Sequence, residues 1–167
     1  MKYVDTKVTF REIPNEISLS INISNCPFNC DGCHSPELRK DIGHELNIYS
    51  LGQLIQKNQG ITCVCFLGGD ADPGLLFAFS DYVRYSHGLK TAWYSGRDAM
   101  HIDAPNHFDY IKIGHYDKNL GPLDSPTTNQ KLFRTVIVLD DITMELQHGV
   151  LEDKKLEDAA KVKNITS

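Results

Sequence analysis

Three cysteines spaced Cys-x3-Cys-x2-Cys, at Cys26, Cys30 and Cys33, constrain this chain more than any other feature of its sequence. Residues 17–23, just before them, alternate apolar and polar side chains, a pattern typical of a β-strand. Ser35 and Pro36, just after them, are typical of the start of a helix. The three thiols are therefore expected on a short loop at the C-terminal end of a strand. Such a loop is better suited to holding a metal or a cluster than to packing a core.

The rest of the chain alternates predicted strands with predicted helices. An extended segment over residues 4–13 is expected beside the strand at 17–23, and further strands are predicted over 61–67, 89–94, 108–113 and 132–139, with helices over 50–57 and 74–87. This alternation predicts an α/β fold with βα units on a mostly parallel sheet. At 167 residues the chain is too short for a complete eight-unit barrel of about 250 residues.

Two further loops carry chemically distinctive residues at the ends of predicted strands. Gly68-Gly69-Asp70 follows the strand at 61–67, and Ser95-Gly96-Arg97 follows the strand at 89–94. Because the C-terminal ends of parallel strands lie at one edge of a sheet, both loops are expected to share one rim with the thiols.

Composition excludes several classes of protein. The chain has 17 basic and 22 acidic residues, a formal charge of -5, and its lysines and arginines are scattered, which argues against binding to nucleic acid. No apolar run approaches the roughly 18 residues of a membrane span, and residues 1–7 have no signal-peptide core. Five cysteines is an odd number, so free thiols in a reducing cytoplasm are expected rather than a disulfide framework.

The residues alone leave three interpretations of the thiols open. Structural zinc usually takes four ligands in two pairs, whereas here His34 directly follows Cys33 and no second pair is nearby. A fully ligated iron–sulfur cluster needs a fourth cysteine, which Cys63 or Cys65 could supply only from the end of its strand. A four-iron cluster on three thiolates would leave one iron open to a small molecule. Core packing is the expected role of Cys63 and Cys65, because free cysteine is among the most buried residue types.

The three-cysteine loop, followed by a Gly-Gly-acid turn after a later strand, resembles the radical S-adenosylmethionine family. Within that family the chain is similar to the subfamily that activates anaerobic ribonucleoside-triphosphate reductases. The similarity spans residues 15–140 and is carried by four segments: 26–38 (CPFNCDGCHSPEL), 66–73 (FLGGDADP), 93–98 (WYSGRD) and 109–134 (DYIKIGHYDKNLGPLDSPTTNQKLFR).

The resemblance implies a fold and a domain organisation. The fold would be the truncated (βα) partial barrel of the radical S-adenosylmethionine type. Residues 1–150 would form a single domain of that type. The charged, lysine-rich residues 151–167 themselves predict a C-terminal tail that forms a frayed helix.

The resemblance also implies two cofactors. Cys26, Cys30 and Cys33 match the ligands of a [4Fe-4S] cluster. The cofactor-binding set matched for S-adenosylmethionine comprises Gly68, Gly69, Asp70, Phe28, His34 and Ser95. The glycines and the acidic residue match a turn that meets the methionyl amino group. The family often places an aromatic residue before the third cysteine to pack near the adenine; here that position is glycine, and either Phe28 or His34 could take its place.

The activity implied is reductive cleavage of S-adenosylmethionine in the cytoplasm, generating a glycyl radical on the anaerobic (class III) ribonucleotide reductase. No side chain need act as general acid or base. A low-potential electron donor, such as flavodoxin or ferredoxin, is the second partner implied. The polar stretch at 114–130, ending in Asn129 and Gln130, is predicted to help dock the reductase, with a plain connecting loop as its alternative. Two other functions remain open: a radical enzyme for a small-molecule heterocycle, and a non-catalytic iron–sulfur or zinc module.

Overall fold

A mixed sheet of seven strands organises residues 1–136, the part of the chain that the computed structural model describes. These residues form one compact unit, Met1–Val136. In chain order the elements are β1 (Lys2–Thr9), β2 (Ser18–Ile23), a 3₁₀ turn (Pro36–Arg39), β3 (His44–Glu45), α1 (Ile48–Lys57), β4 (Cys63–Leu67), α2 (Pro73–His87), β5 (Lys90–Tyr94), α3 (Ala104–His107), β6 (Tyr110–Ile113) and β7 (Lys131–Arg134). Three predictions lie outside the described residues: the domain boundary at residue 150, the tail at 151–167 and the end of the strand at 132–139.

The middle of the sheet is parallel and its edges are antiparallel. The strand order is β3-β1-β2-β4-β5-β6-β7, with parallel pairing from β2 through β4 and β5 to β6. The α/β prediction is therefore confirmed. The prediction that residues 4–13 lie beside the strand at 17–23 is also confirmed, because β1 pairs antiparallel with β2. β7 departs from the parallel series: it pairs antiparallel with β6, because the loop between them turns the chain straight back without a crossover helix. Within residues 1–136 the two edge strands are not paired, so the described sheet is open.

The helix ends follow local hydrogen bonding. α1 begins at Ile48, two residues before the predicted start, because Asn47 and Ser50 form a reciprocal capping box. α2 ends at His87, the predicted last residue, and Gly88 caps it in a left-handed conformation with φ of 64°. The helix expected from Pro36 is only a 3₁₀ turn, and Ser35 makes no side-chain cap. No helix within residues 1–136 is long and apolar enough to cross a membrane.

Alternate residues of the central strands face two separate apolar clusters. The larger one lies between the sheet and the helices, and Phe66, Phe79 and Trp93 are its largest fully buried side chains from β4, α2 and β5. The smaller one, on the opposite face, consists of Ile13, Cys63, Cys65, Ala92 and Tyr110. The packing role predicted for Cys63 and Cys65 is confirmed, since both are fully buried, and burial raises the pKa of Cys63 to about 12.

Candidate functional site

The C-terminal ends of the parallel strands surround a cavity of about 400 Å³. The thiol loop after β2, the Gly-Gly turn after β4 and the Ser95-Gly96 turn after β5 all line it, so the predicted common rim is confirmed. Of the residues predicted to act here, the cavity brings together Cys26, Cys30, Cys33, Phe28, His34, Gly68, Asp70, Ser95 and Gln130. Gly69 and Asn129 lie beside the cavity and do not line it.

Backbone hydrogen bonds fold the thiol loop back on itself. The amide of Cys26 donates to the carbonyl of Leu38 at 2.9 Å, and the guanidinium Nη2 of Arg39 donates to the carbonyl of Cys30 at 2.8 Å. Gly32 has a φ of 72°, a conformation that favours glycine. An aromatic side chain at this position would have to adopt that conformation with its Cβ 3.0 Å from Lys118 Cβ. All three thiols are free and partly exposed at the cavity.

The three thiols are brought to one cavity by a single loop. No group of three or more His, Cys, Asp or Glu side chains in residues 1–136 is arranged to hold one metal ion. A cluster binds each thiolate through a different iron, so its ligands need to surround a shared space and need not converge on one point. Burial raises the pKa of the Cys26 thiol, and the negative charges of Asp70, Cys30 and Cys33 raise it further. Bound iron would therefore have to displace that proton, as metals do from thiol ligands.

The two glycines of the turn after β4 face different surroundings. Both have positive φ values, 97° at Gly68 and 89° at Gly69. The carbonyl of Gly68 accepts a hydrogen bond from the indole Nε1 of Trp93 at 2.9 Å, which fixes the turn at the cavity wall. A Cβ on Gly68 would stand 3.1 Å from the Ile23 carbonyl oxygen, and a Cβ on Gly69 would point toward the core, 3.0 Å from both Cδ atoms of Leu76 and 3.4 Å from Ile23 Cδ1.

Asp70 binds the neighbouring turn of the protein itself. Its carboxylate accepts hydrogen bonds from Ser95 Oγ at 2.5 Å and from the Gly96 amide at 3.2 Å. Arg97 lies alongside, with Nε 3.6 Å from the carboxylate and Nη2 donating to the Asp70 carbonyl at 3.2 Å. Burial raises the pKa of Asp70, and the bonds from Ser95 and Gly96 and the charges of Arg97 and Lys112 partly offset that rise. Asp70 and Ser95 therefore lock the ends of β4 and β5 together beneath the cavity.

The two candidates for packing against adenine differ in exposure. The Phe28 ring lies on Gly96, where an added Cβ would stand 2.5 Å from Phe28 Cδ2. His34 is exposed, and its ring packs edge-on against Tyr116 with centroids 5.1 Å apart. Phe28 is the better covered of the two and is held directly over the Ser95-Gly96 turn. Gly96 thus has a steric reason to be glycine that sequence reasoning missed.

The loop at 114–130 packs on the thiol loop. Lys118 Nζ forms a salt bridge with Asp31 Oδ2 at 2.7 Å between exposed side chains. At its end, Asn129 Nδ2 donates to the His115 carbonyl at 2.9 Å and Gln130 Nε2 to the same carbonyl at 3.5 Å. The amide groups of Asn129 and Gln130 therefore close the loop on itself, and the loop forms one wall of the cavity.

Two cations of this site were not recognised from the sequence. Lys112 looks like an ordinary polar member of an alternating strand, yet it is only 8% exposed and lines the cavity. Burial lowers the pKa of Lys112, and the negative charges of Cys30, Asp70 and Asp98 partly offset that fall. Arg39 also lines the cavity, through its bond to Cys30. The sequence feature that could have pointed to Lys112 was its place near the end of β6, at the edge of the sheet where the thiol loop and the Gly-Gly turn also lie.

Comparisons of the chain with protein-family models, with curated proteins and with solved structures found no match. The function of this cavity is therefore argued from its own residues and their geometry.

Proposed function

We propose that this protein is a radical S-adenosylmethionine activase that generates a glycyl radical on an anaerobic ribonucleoside-triphosphate reductase. The observation that supports it most is the convergence of three separated segments on one cavity: the three free thiols, the turn at Gly68 and the turn at Ser95. The open, centrally parallel sheet is compatible with the truncated (βα) partial barrel of that family. A cavity of about 400 Å³ is within the usual size range of small-molecule sites.

Cys26, Cys30 and Cys33 would hold a [4Fe-4S] cluster, because they are the free thiols at the cavity among the described residues. Held there, the cluster would supply the one electron needed for reductive cleavage of S-adenosylmethionine to methionine and a 5′-deoxyadenosyl radical, the species that would take a hydrogen atom from the partner's glycine. The chain's own residues have to bind and orient these groups and keep water away from them. The bond from Arg39 to the Cys30 carbonyl would hold the thiol loop in position for this.

The wall opposite the thiols would bind S-adenosylmethionine. Gly68 lies in the cavity wall, and its φ of 97° allows the tight turn that brings the end of β4 and Asp70 to the ligand. Asp70 would act on the ligand ammonium through its charge, in part offset by the neighbouring Arg97, while its hydrogen bonds to Ser95 and Gly96 hold the two turns in place. Phe28 offers an apolar ring face for the adenine, and His34 offers a second, more exposed ring.

The loop at 114–130 would help to dock the reductase, because it forms the cavity wall beside the thiols and carries exposed polar side chains. In this proposal Asn129 and Gln130 contribute by holding the loop in shape through the His115 carbonyl. A low-potential donor such as flavodoxin or ferredoxin would supply the electron.

The cluster is tested by anaerobic reconstitution of the full chain with iron and sulfide. We expect about four irons per chain, and loss of the cluster when Cys26, Cys30 or Cys33 is replaced by Ala. Cys63→Ala and Cys65→Ala serve as matched controls: they remove equally small thiols from the core and should keep the iron. Tightly bound zinc without iron uptake would contradict the proposal and favour the zinc module.

The reaction is tested by electron paramagnetic resonance on an anaerobic mixture of this protein, S-adenosylmethionine, a reductant and the reductase. A glycine-centred doublet should form only when all components are present, and deuterium on the target glycine should appear in 5′-deoxyadenosine. Vigorous cleavage without a radical on the reductase would favour an enzyme for a small-molecule heterocycle. Absence of any cleavage by the loaded protein would favour an electron-transfer module.

A further inference from the structure

Lys112 is a buried cation without a carboxylate partner in the described part of the chain. It lies on β6 and is 8% exposed, and none of the salt bridges among residues 1–136 includes it. Its Nζ donates to the carbonyls of Gly114 at 2.6 Å and Ser95 at 3.4 Å. An ammonium group has three protons, so one donor has no protein acceptor among those residues.

The two carboxylates whose charges act on Lys112, Asp70 and Asp98, are each hydrogen-bonded to other groups and form no salt bridge with it. The carboxylate of Asp70 is bonded to Ser95 and Gly96 and lies beside the guanidinium of Arg97. Lys112 lines the same cavity as the three thiols, and no salt bridge among the described residues neutralises it. A buried charge is unfavourable unless an opposite charge accompanies it, so the buried Lys112 ammonium favours negative charge on the groups that face it across the cavity.

We propose that Lys112 is the counter-ion of the thiolate centre: its buried positive charge balances part of the negative charge on Cys26, Cys30 and Cys33 and so raises the reduction potential of the cluster they hold. The inference rests on the proposed function, because it requires the cluster. Reduction adds one more negative charge to the centre, and a nearby buried cation stabilises the reduced form more than the oxidised form. Net charge is one of the factors that set the potential of such clusters.

The test is the midpoint potential of the reconstituted full-length protein, measured without S-adenosylmethionine by electron paramagnetic resonance during a redox titration. Lys112→Met and Lys112→Gln should each lower the equilibrium constant for reduction about tenfold, equivalent to a shift of about 59 mV to more negative potential for a one-electron couple. Lys112→Arg keeps the charge and should restore most of the potential. Lys118→Met is the matched control: it removes a lysine that also contacts the thiol loop but whose side chain is 54% exposed, so solvent screens it and the shift should be much smaller.

Iron content and circular dichroism separate the possible failures. A fully loaded and folded Lys112→Met protein with an unchanged potential would overturn the counter-ion role and leave the proposed function standing. The same would hold if the potential were unchanged and only the affinity for S-adenosylmethionine fell, because Lys112 would then be a ligand contact. If the unsubstituted protein took up no iron, both the inference and the proposed function would be overturned. If neither neutral variant folded, the potential of Lys112→Arg would decide: a large negative shift there would contradict a role that depends on charge alone.

Discussion

Replacing Gly69 by Ala should destabilise the protein through a contact inside the core. The φ of 89° at this position is unfavourable for a residue with a Cβ, which costs about 1–2 kcal/mol. The added Cβ would also stand 3.0 Å from both Cδ atoms of Leu76, so the buried Leu76 side chain must move, and overpacking of this kind costs about 1–3 kcal/mol. The two effects together predict a loss of roughly 2–5 kcal/mol in the free energy of unfolding.

Gly60→Ala separates the two effects. Gly60 has nearly the same φ, 87°, but an added Cβ there meets no atom within 4 Å. This variant should therefore lose only the conformational part, and the roughly 0.4–1 kcal/mol that Ala gains over Gly through the unfolded state reduces the loss equally in both variants. The difference between the two variants, about 1–3 kcal/mol, isolates the contact with Leu76.

The assay is urea and thermal unfolding of the cluster-free full chain. For a chain of this size, each kcal/mol should lower Tm by roughly 2–4 °C, so Gly69→Ala should melt several degrees below Gly60→Ala. A double variant with Leu76→Ala should cost less than the sum of the two single variants, because removal of the Cδ atoms removes the collision. Equal stability of Gly69→Ala and Gly60→Ala, with strictly additive behaviour in the double variant, would refute the reasoning.

Three further predictions concern other parts of the chain. Glu16→Gln should lower the free energy of unfolding by about 1 kcal/mol at neutral pH. Burial raises the pKa of Glu16, but its hydrogen bonds, first the one from Lys90, outweigh burial and hold this pKa below its ordinary value. Urea unfolding should therefore show the stability difference between the two proteins near neutral pH and lose it as the pH falls through the lowered pKa. Phe28→Leu should weaken S-adenosylmethionine binding, measured by equilibrium dialysis, more than His34→Leu does, since Phe28 is the better covered ring; the reverse order would assign the adenine to His34. Asn129→Ala combined with Gln130→Ala should lower the glycyl-radical yield on the reductase more than it lowers iron content, because it loosens the loop and not the thiols; an equal fall in both would make the loop part of the cluster site.

Local sequence was sufficient to predict the central elements and the common rim. The strands around Ile21 and Phe66 were recognisable because side-chain periodicity reflects which faces are buried. Their parallel order then placed the thiol loop and the Gly68 turn at one edge, since a βα crossover returns the chain in the same direction. Helix starts were less accurate: α1 begins at Ile48, before the predicted start at residue 50, because the capping box uses Asn47.

The sequence by itself determined which groups this protein can use: three free thiols at fixed spacing, glycines where the backbone takes positive φ, and an acidic residue beside them. Only the tertiary structure decided what several of these groups contact. In the folded protein a Cβ on Gly69 would meet Leu76, the carboxylate of Asp70 accepts a hydrogen bond from Ser95, and the Lys112 ammonium is buried against backbone carbonyls at the cavity. The physical reason is that hydrogen bonds, burial and charge compensation depend on neighbours far apart in the chain, which no local pattern of residues specifies.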